Sequence, residues 1–161
     1  MGDEYLLRVL WVKAQLSILL CHWQNGEVPL PQKRHKGLAL IIEDETDIRR
    51  FVALLLALEG FTVLEADTGE RGIEIICQNK CVLVLLDLRM PGRDGWSVLQ
   101  EMKEDANLCE IPVIVFSASA SFDSEDKALK MGAADYLVKP LSAAGLRESI
   151  GRVLKRRSPP H

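Results

Sequence analysis

The chain has 161 residues, enough for one domain with a proper core and some excess. Apolar residues make up 48% and charged residues 27%, an ordinary soluble globular balance that excludes a chain disordered throughout. The net charge of −3 is uneven: residues 38–154 hold 12 Lys/Arg against 20 Asp/Glu, and so acidic a body argues against a broad nucleic-acid surface.

In chain order, residues 1–24 read as one helix. Tyr5, Val9, Val12, Leu16, Leu19 and Trp23 recur at spacings of four and three, a coiled-coil-like seam. Leu6, Leu7, Leu10, Ile18 and Leu20 make the helix apolar nearly all round, so it must bury itself against something. Association with a partner chain is the favoured use, ahead of packing on its own chain or contact with a membrane surface. Its longest charge-free stretch is 13 residues, Ala14 to Gly26, where a bilayer span takes roughly 20. Asp3 and Glu4 stand where a signal peptide wants positive charge, so neither a span nor a leader is expected. Residues 25–37 have linker composition, with two prolines, two glycines and a basic cluster.

Residues 38–157 then alternate apolar runs with helical patterns. Strands are expected over 38–42, 61–66, 82–86, 111–118 and 135–139, and helices over 47–60, 69–79, 96–105, 124–132 and 143–157. Thr68 is a plausible cap for the second of these helices, and Gly60 and Gly132 supply stops. Lys155, Arg156 and Arg157 suit the negative end of a helix dipole. Residues 158–161 form a tail. The first, third and fourth strands are apolar without alternation, as in a parallel sheet buried on both faces. Cys21, Cys77, Cys81 and Cys109 lack metal-site spacing, so reduced thiols are the default reading.

Five β-α units predict a parallel sheet with helices on both faces. Chemistry in such sheets gathers beyond the carboxyl ends of the strands. Strand one ends in Glu43-Asp44-Glu45, strand three in Asp87, strand four in Ser117 and strand five in Lys139-Pro140. The end of strand two, Glu65-Ala66-Asp67, falls at the sheet edge and is expected to play no part. Two carboxylates about 4 Å apart repel by about 4 kcal/mol at an effective dielectric near 20. A cation is therefore expected among Glu43, Asp44 and Asp87, and Mg²⁺ suits an oxygen-rich site that also meets phosphate. Glu45 reads as a solvated or helix-start charge. With Lys139 and Ser117 added, the set suits phosphoryl transfer to a carboxylate. No P-loop glycine motif is present, so the phosphoryl group must come from another molecule.

The runs "ALIIEDE" (39–45), "VLLDLRMPGRDG" (84–95), "VIVFSA" (113–118) and "GAADYLVKP" (132–140) resemble the receiver domain of bacterial two-component response regulators. The resemblance covers about residues 37–157. It implies a flavodoxin-like, doubly wound (βα)5 domain over 38–157, behind the N-terminal helix and linker. It implies that Asp87 is the phosphoacceptor, served by a sensor histidine kinase or phosphotransfer protein. Asp44, Asp87 and the backbone carbonyl of Arg89 would ligate Mg²⁺, with Glu43 acting through water. Ser117 and Lys139 would contact the phosphoryl group, and Ser117 and Tyr136 would form the switch. A cis peptide is implied at Lys139-Pro140. Glu43 stands where Asp is common, and Ser117 where Thr is common; neither change removes a needed group.

The resemblance further implies a cytoplasmic signalling protein that catalyses only its own phosphorylation and dephosphorylation. A homodimer through helix four, strand five and helix five, or through the N-terminal helix, is expected. Direct nucleic-acid binding is not. The alternatives are an interaction module that takes no phosphate and, less favoured, an Asp-nucleophile phosphatase. The latter wants an acid two residues after its nucleophile, where this chain has Arg89.

Overall fold

The computed structural model describes residues 35–157. Five strands alternate with five helices: β1 (Leu38–Ile42), α1 (Thr46–Leu58), β2 (Thr62–Ala66), α2 (Gly69–Gln78), β3 (Cys81–Asp87), α3 (Gly95–Glu104), β4 (Val113–Ser117), α4 (Phe122–Lys130), β5 (Asp135–Val138) and α5 (Ala143–Arg157). The helix expected over 1–24, most of the linker and the tail lie outside the described residues.

All strand pairs are parallel, in the order β2-β1-β3-β4-β5. Strand order reverses after β1, so β1 and β3 flank the switch point at which such sheets place their chemistry. The pleat sends alternate residues to opposite faces. Leu40, Ile42, Val84, Leu86, Val113 and Val115 pack with Ile76 of α2 and Val98, Leu99 and Met102 of α3. Ala39, Ile41, Leu83, Leu85, Ile114 and Phe116 pack with Val52 and Leu56 of α1 and Leu146, Ile150 and Val153 of α5. These two cores explain the unbroken apolar runs, since each strand must satisfy both. Burying one such side chain stabilises the fold by about 1.5–3 kcal/mol.

Local signals set the helix ends. Thr68 Oγ1 accepts from the Arg71 N–H at 3.2 Å, and an Asp94 carboxylate oxygen accepts from the Ser97 N–H at 2.9 Å. Gly60 and Gly132 both take φ +96°, a left-handed conformation that ends α1 and α4 cheaply. Of the boundaries that differ from expectation, two bear on the strands of the site. β4 begins at Val113 because the Ile111 N–H turns back to the Leu108 carbonyl. β3 runs on through Asp87, which pairs with Phe116 and so belongs to the rigid sheet.

Candidate functional site

Each site residue sits at a strand end because an apolar strand can carry a polar group only where it leaves the core. Asp87 closes β3 and is 2% exposed; Glu43 follows β1 and is 1% exposed. Lys139 follows β5, and its N–H donates to the Ser117 carbonyl at 2.8 Å. The Lys139–Pro140 peptide is cis, as the resemblance implies. The Lys139 ammonium donates to Glu43 Oε2 at 2.7 Å and to Asp87 Oδ2 at 3.0 Å. It also lies 5.0 Å from the centroid of the Phe116 ring, which forms part of its floor.

The remaining carboxylate oxygens are held by main chain. Glu43 Oε1 accepts from the Glu45 N–H, and Asp87 Oδ1 from the Arg89 N–H, both at 3.2 Å. Among the described residues no buried side-chain nitrogen or oxygen lacks a partner. Burial raises the Glu43 carboxyl above its usual range; the hydrogen bond from Lys139 opposes this and the charge of Asp87 adds to it. Burial also works against the charge on Lys139, but hydrogen bonds and attraction from Glu43 and Asp87 outweigh it, so the ammonium is held more firmly than usual.

Asp44, the most accessible of the acids, completes a group in which one oxygen each of Glu43, Asp44 and Asp87 lies within 4.8 Å of the others. Three carboxylates against one ammonium leave a formal excess of two negative charges. Hard oxygen donors with that excess fit a divalent cation such as Mg²⁺.

Ser117 closes β4 at 1% exposure, and its Oγ accepts from the Ser119 N–H at 3.3 Å. The Tyr136 ring is buried, and its hydroxyl donates to the Ser119 carbonyl at 2.9 Å. The aromatic residue is thus tied to the loop that begins at Ser117. Gly95 backs the site from α3: its N–H donates to the Leu88 carbonyl, and a Cβ there would lie 2.0 Å from the Asp87 carbonyl oxygen. Glu45 is exposed before α1, consistent with a helix-start charge.

The structure therefore gathers Glu43, Asp44, Asp87 and Lys139, with Ser117 closing the adjacent strand. Two residues escaped the sequence reading. Arg49 of α1 donates to the carbonyls of Glu43 at 2.8 Å and Asp44 at 3.2 Å, and pairs with Glu65 at 3.3 Å. The end of β2, an edge strand as expected, is therefore joined to the acidic loop. An arginine in a helix's first turn carries no motif of its own. Only an acid at the matching end of the neighbouring strand hinted at the pair.

Comparisons with known proteins identify the family. The family model "Response regulator receiver domain" matches residues 39–151. This chain belongs to the response regulator receiver family. The phosphate regulon transcriptional regulatory protein PhoB of Pseudomonas aeruginosa is 34% identical over 120 residues, covering 74% of this chain and 52% of that protein. The probable transcriptional regulator ycf27 of Porphyridium aerugineum is 37% identical over 121 residues, covering 75% and 49%. The receiver thus spans about half the length of the curated relatives it matches. Among solved structures, a receiver domain protein from Clostridium thermocellum superposes with TM-score 0.69 at 30% identity, over 75% of this chain and 96% of that one. The Francisella response regulator 1452 receiver domain gives 0.68 at 29% identity, over 74% and 97%. The fold is the flavodoxin-like receiver fold, and the chain is a signal-transduction module of the two-component type.

Proposed function

We propose that this receiver is the phosphoacceptor of a two-component phosphorelay and that Asp87 is the residue phosphorylated. The observation that supports this most is the Lys139 ammonium between the buried carboxylates of Glu43 and Asp87, at the sheet edge where β4 delivers Ser117. An Asp87 carboxylate oxygen attacks the phosphorus of a phosphohistidine on a sensor histidine kinase or phosphotransfer protein. The P–N bond breaks, the imidazole nitrogen leaves with the electron pair and takes a proton from solvent, and an acyl phosphate remains on Asp87. Lys139 then shares its ammonium with a phosphoryl oxygen. The Ser117 oxygen accepts from Ser119, leaving its own proton to donate to the new group. Water later attacks phosphorus, the P–O bond to Asp87 breaks, and inorganic phosphate departs. The chain in this reading catalyses nothing else.

Asp44, Asp87 and the Arg89 carbonyl, with Glu43 through water, would hold Mg²⁺. When bound, the ion neutralises charge on the phosphoryl oxygens. Engagement of Ser117 favours the inward position of Tyr136, which biases a two-state equilibrium. The readout surface is α4, β5 and α5, where Phe122, Leu129 and Val138 stand exposed. A homodimer or a downstream protein is the proposed occupant, with no direct nucleic-acid contact by these residues. The proposed location is the cytoplasm; among the described residues no helix is long and apolar enough to cross a membrane. The unphosphorylated-module reading is disfavoured by the assembled acids and lysine, the phosphatase reading by Arg89.

Beryllofluoride, a phosphoryl mimic, tests the reading. Amide spectra of the chain should shift around Asp87, Ser117 and Tyr136 on adding it with Mg²⁺, and Asp87→Asn should abolish the shift. Equal shifts with Asp87→Asn would contradict the assignment.

A further inference from the structure

We infer that Arg49 and Glu65 form a positioning clamp that aims the acid pair Glu43-Asp44 at the metal. The inference rests on the metal-dependent reading above and names residues that set the metal's affinity.

Arg49 is the fourth residue of α1, near the positive end of the helix dipole, where a cation is disfavoured. Helix stability therefore does not explain it. Its side chain is only 14% exposed, although an arginine in a first turn could easily reach water. Instead the guanidinium turns back over the preceding loop. It donates to the Glu43 carbonyl at 2.8 Å and the Asp44 carbonyl at 3.2 Å, and the Thr46 hydroxyl accepts from it at 3.4 Å. Holding two successive carbonyls fixes both peptide planes, and with them the directions in which the two carboxylates leave the main chain.

β2 anchors the clamp. Glu65 Oε2 lies 3.3 Å from Arg49 Nε, and the Ala66 carbonyl accepts from the Glu43 N–H at 3.0 Å. The acid-bearing loop is thus held through its N–H by Ala66 of β2 and through its carbonyls by the residue before it, Glu65, by way of Arg49. Groups that orient metal ligands without touching the metal commonly change affinity by about 10–100-fold when removed.

Charge and geometry predict opposite signs. A guanidinium bonded to the loop that carries Glu43 and Asp44 repels a divalent cation bound there, so if it acted only as a charge, its removal would tighten binding. A positioning role predicts weaker binding. The test is Mn²⁺ binding, read as loss of the free-ion paramagnetic signal, on the full chain and on Arg49→Met, Arg49→Lys and Glu65→Gln. Thermal melts check that each variant folds. Arg49→Met should weaken Mn²⁺ binding about tenfold. Arg49→Lys, which keeps the charge but not the fork, should also weaken it, as should Glu65→Gln to a smaller extent. If Arg49→Met does not fold, Arg49→Lys carries the prediction alone, because it keeps the charge constant, whereas Glu65→Gln removes a negative charge and would weaken binding on either account. Unchanged or tighter binding in the folded variants overturns the clamp. No binding by the unsubstituted chain overturns the metal site itself, and the clamp with it.

Discussion

Glu43 is the residue at which the site's electrostatics become measurable. It is buried, shares Lys139 with Asp87, and has its carboxyl held above the ordinary range, chiefly by burial. The folded chain therefore binds that proton more tightly than the unfolded chain does. Ionised Glu43 opposes folding; the penalty is fully present above its folded pKa and falls away as pH drops through it. Asp135 behaves oppositely. Burial pushes its carboxyl up, but hydrogen bonds from Ser149 at 2.6 Å and Arg152 at 2.5 Å outweigh this and hold it low. Its contribution is present above its unfolded value of 3.8 and is lost only as pH falls through the lower folded one. Urea unfolding in metal-free buffer should show a Glu43 contribution that rises as pH drops from neutral toward 4.5, above the Asp135 window. Glu43→Gln should flatten that rise, and a profile unchanged by the substitution contradicts the assignment. The acids and Lys139 were legible in the sequence because each interrupts or ends an apolar run. Arg49 and Glu65 were not, because their meeting depends on β2 lying beside β1 and on a side chain running back against its own helix.

At the scale of elements, the helices and strands were legible almost throughout. Strands buried on both faces leave unbroken apolar runs, and Thr68, Gly60 and Gly132 mark the ends where the structure has them. The miss at Ile111 reflects competition: its N–H is taken by a turn ahead of Pro112, so an apolar residue there lies outside β4. The packing of α3 on β3 was not legible either. Gly95 reads as a turn glycine, yet no side chain fits between its Cα and the Asp87 carbonyl. Gly95→Ala must push α3 away from the strand end that bears Asp87. A destabilisation of about 3 kcal/mol is expected from overpacking at backbone. Chemical unfolding measures it, and a change below about 1 kcal/mol would show that α3 is free to shift.

At the scale of the whole molecule, residues 38–154 are acidic, and among the described residues Glu43, Asp44 and Asp87 form a group that could hold a metal ion. Phe122, Leu129 and Val138 are exposed apolar residues on the proposed readout surface, where a partner would bury them. If activation remodels that face for self-association, beryllofluoride with Mg²⁺ should raise the sedimentation-derived mass of the full chain toward a dimer. Phe122→Ser should suppress the rise, because the apolar side chain it removes is 78% exposed and supports no core. An equal rise in that variant moves the interface elsewhere, with the N-terminal seam as the next surface to alter.

The central claim is that Asp87 accepts a phosphoryl group, and intact-mass spectrometry tests it most directly. The chain is incubated with Mg²⁺ and acetyl phosphate, or with a phosphorylated histidine kinase, and adducts are located by borohydride trapping of the acyl phosphate. One phosphoryl group, labile to base, trapped at Asp87 and missing in Asp87→Asn, is the predicted result. No adduct from either donor, or an adduct that persists in Asp87→Asn, contradicts the account.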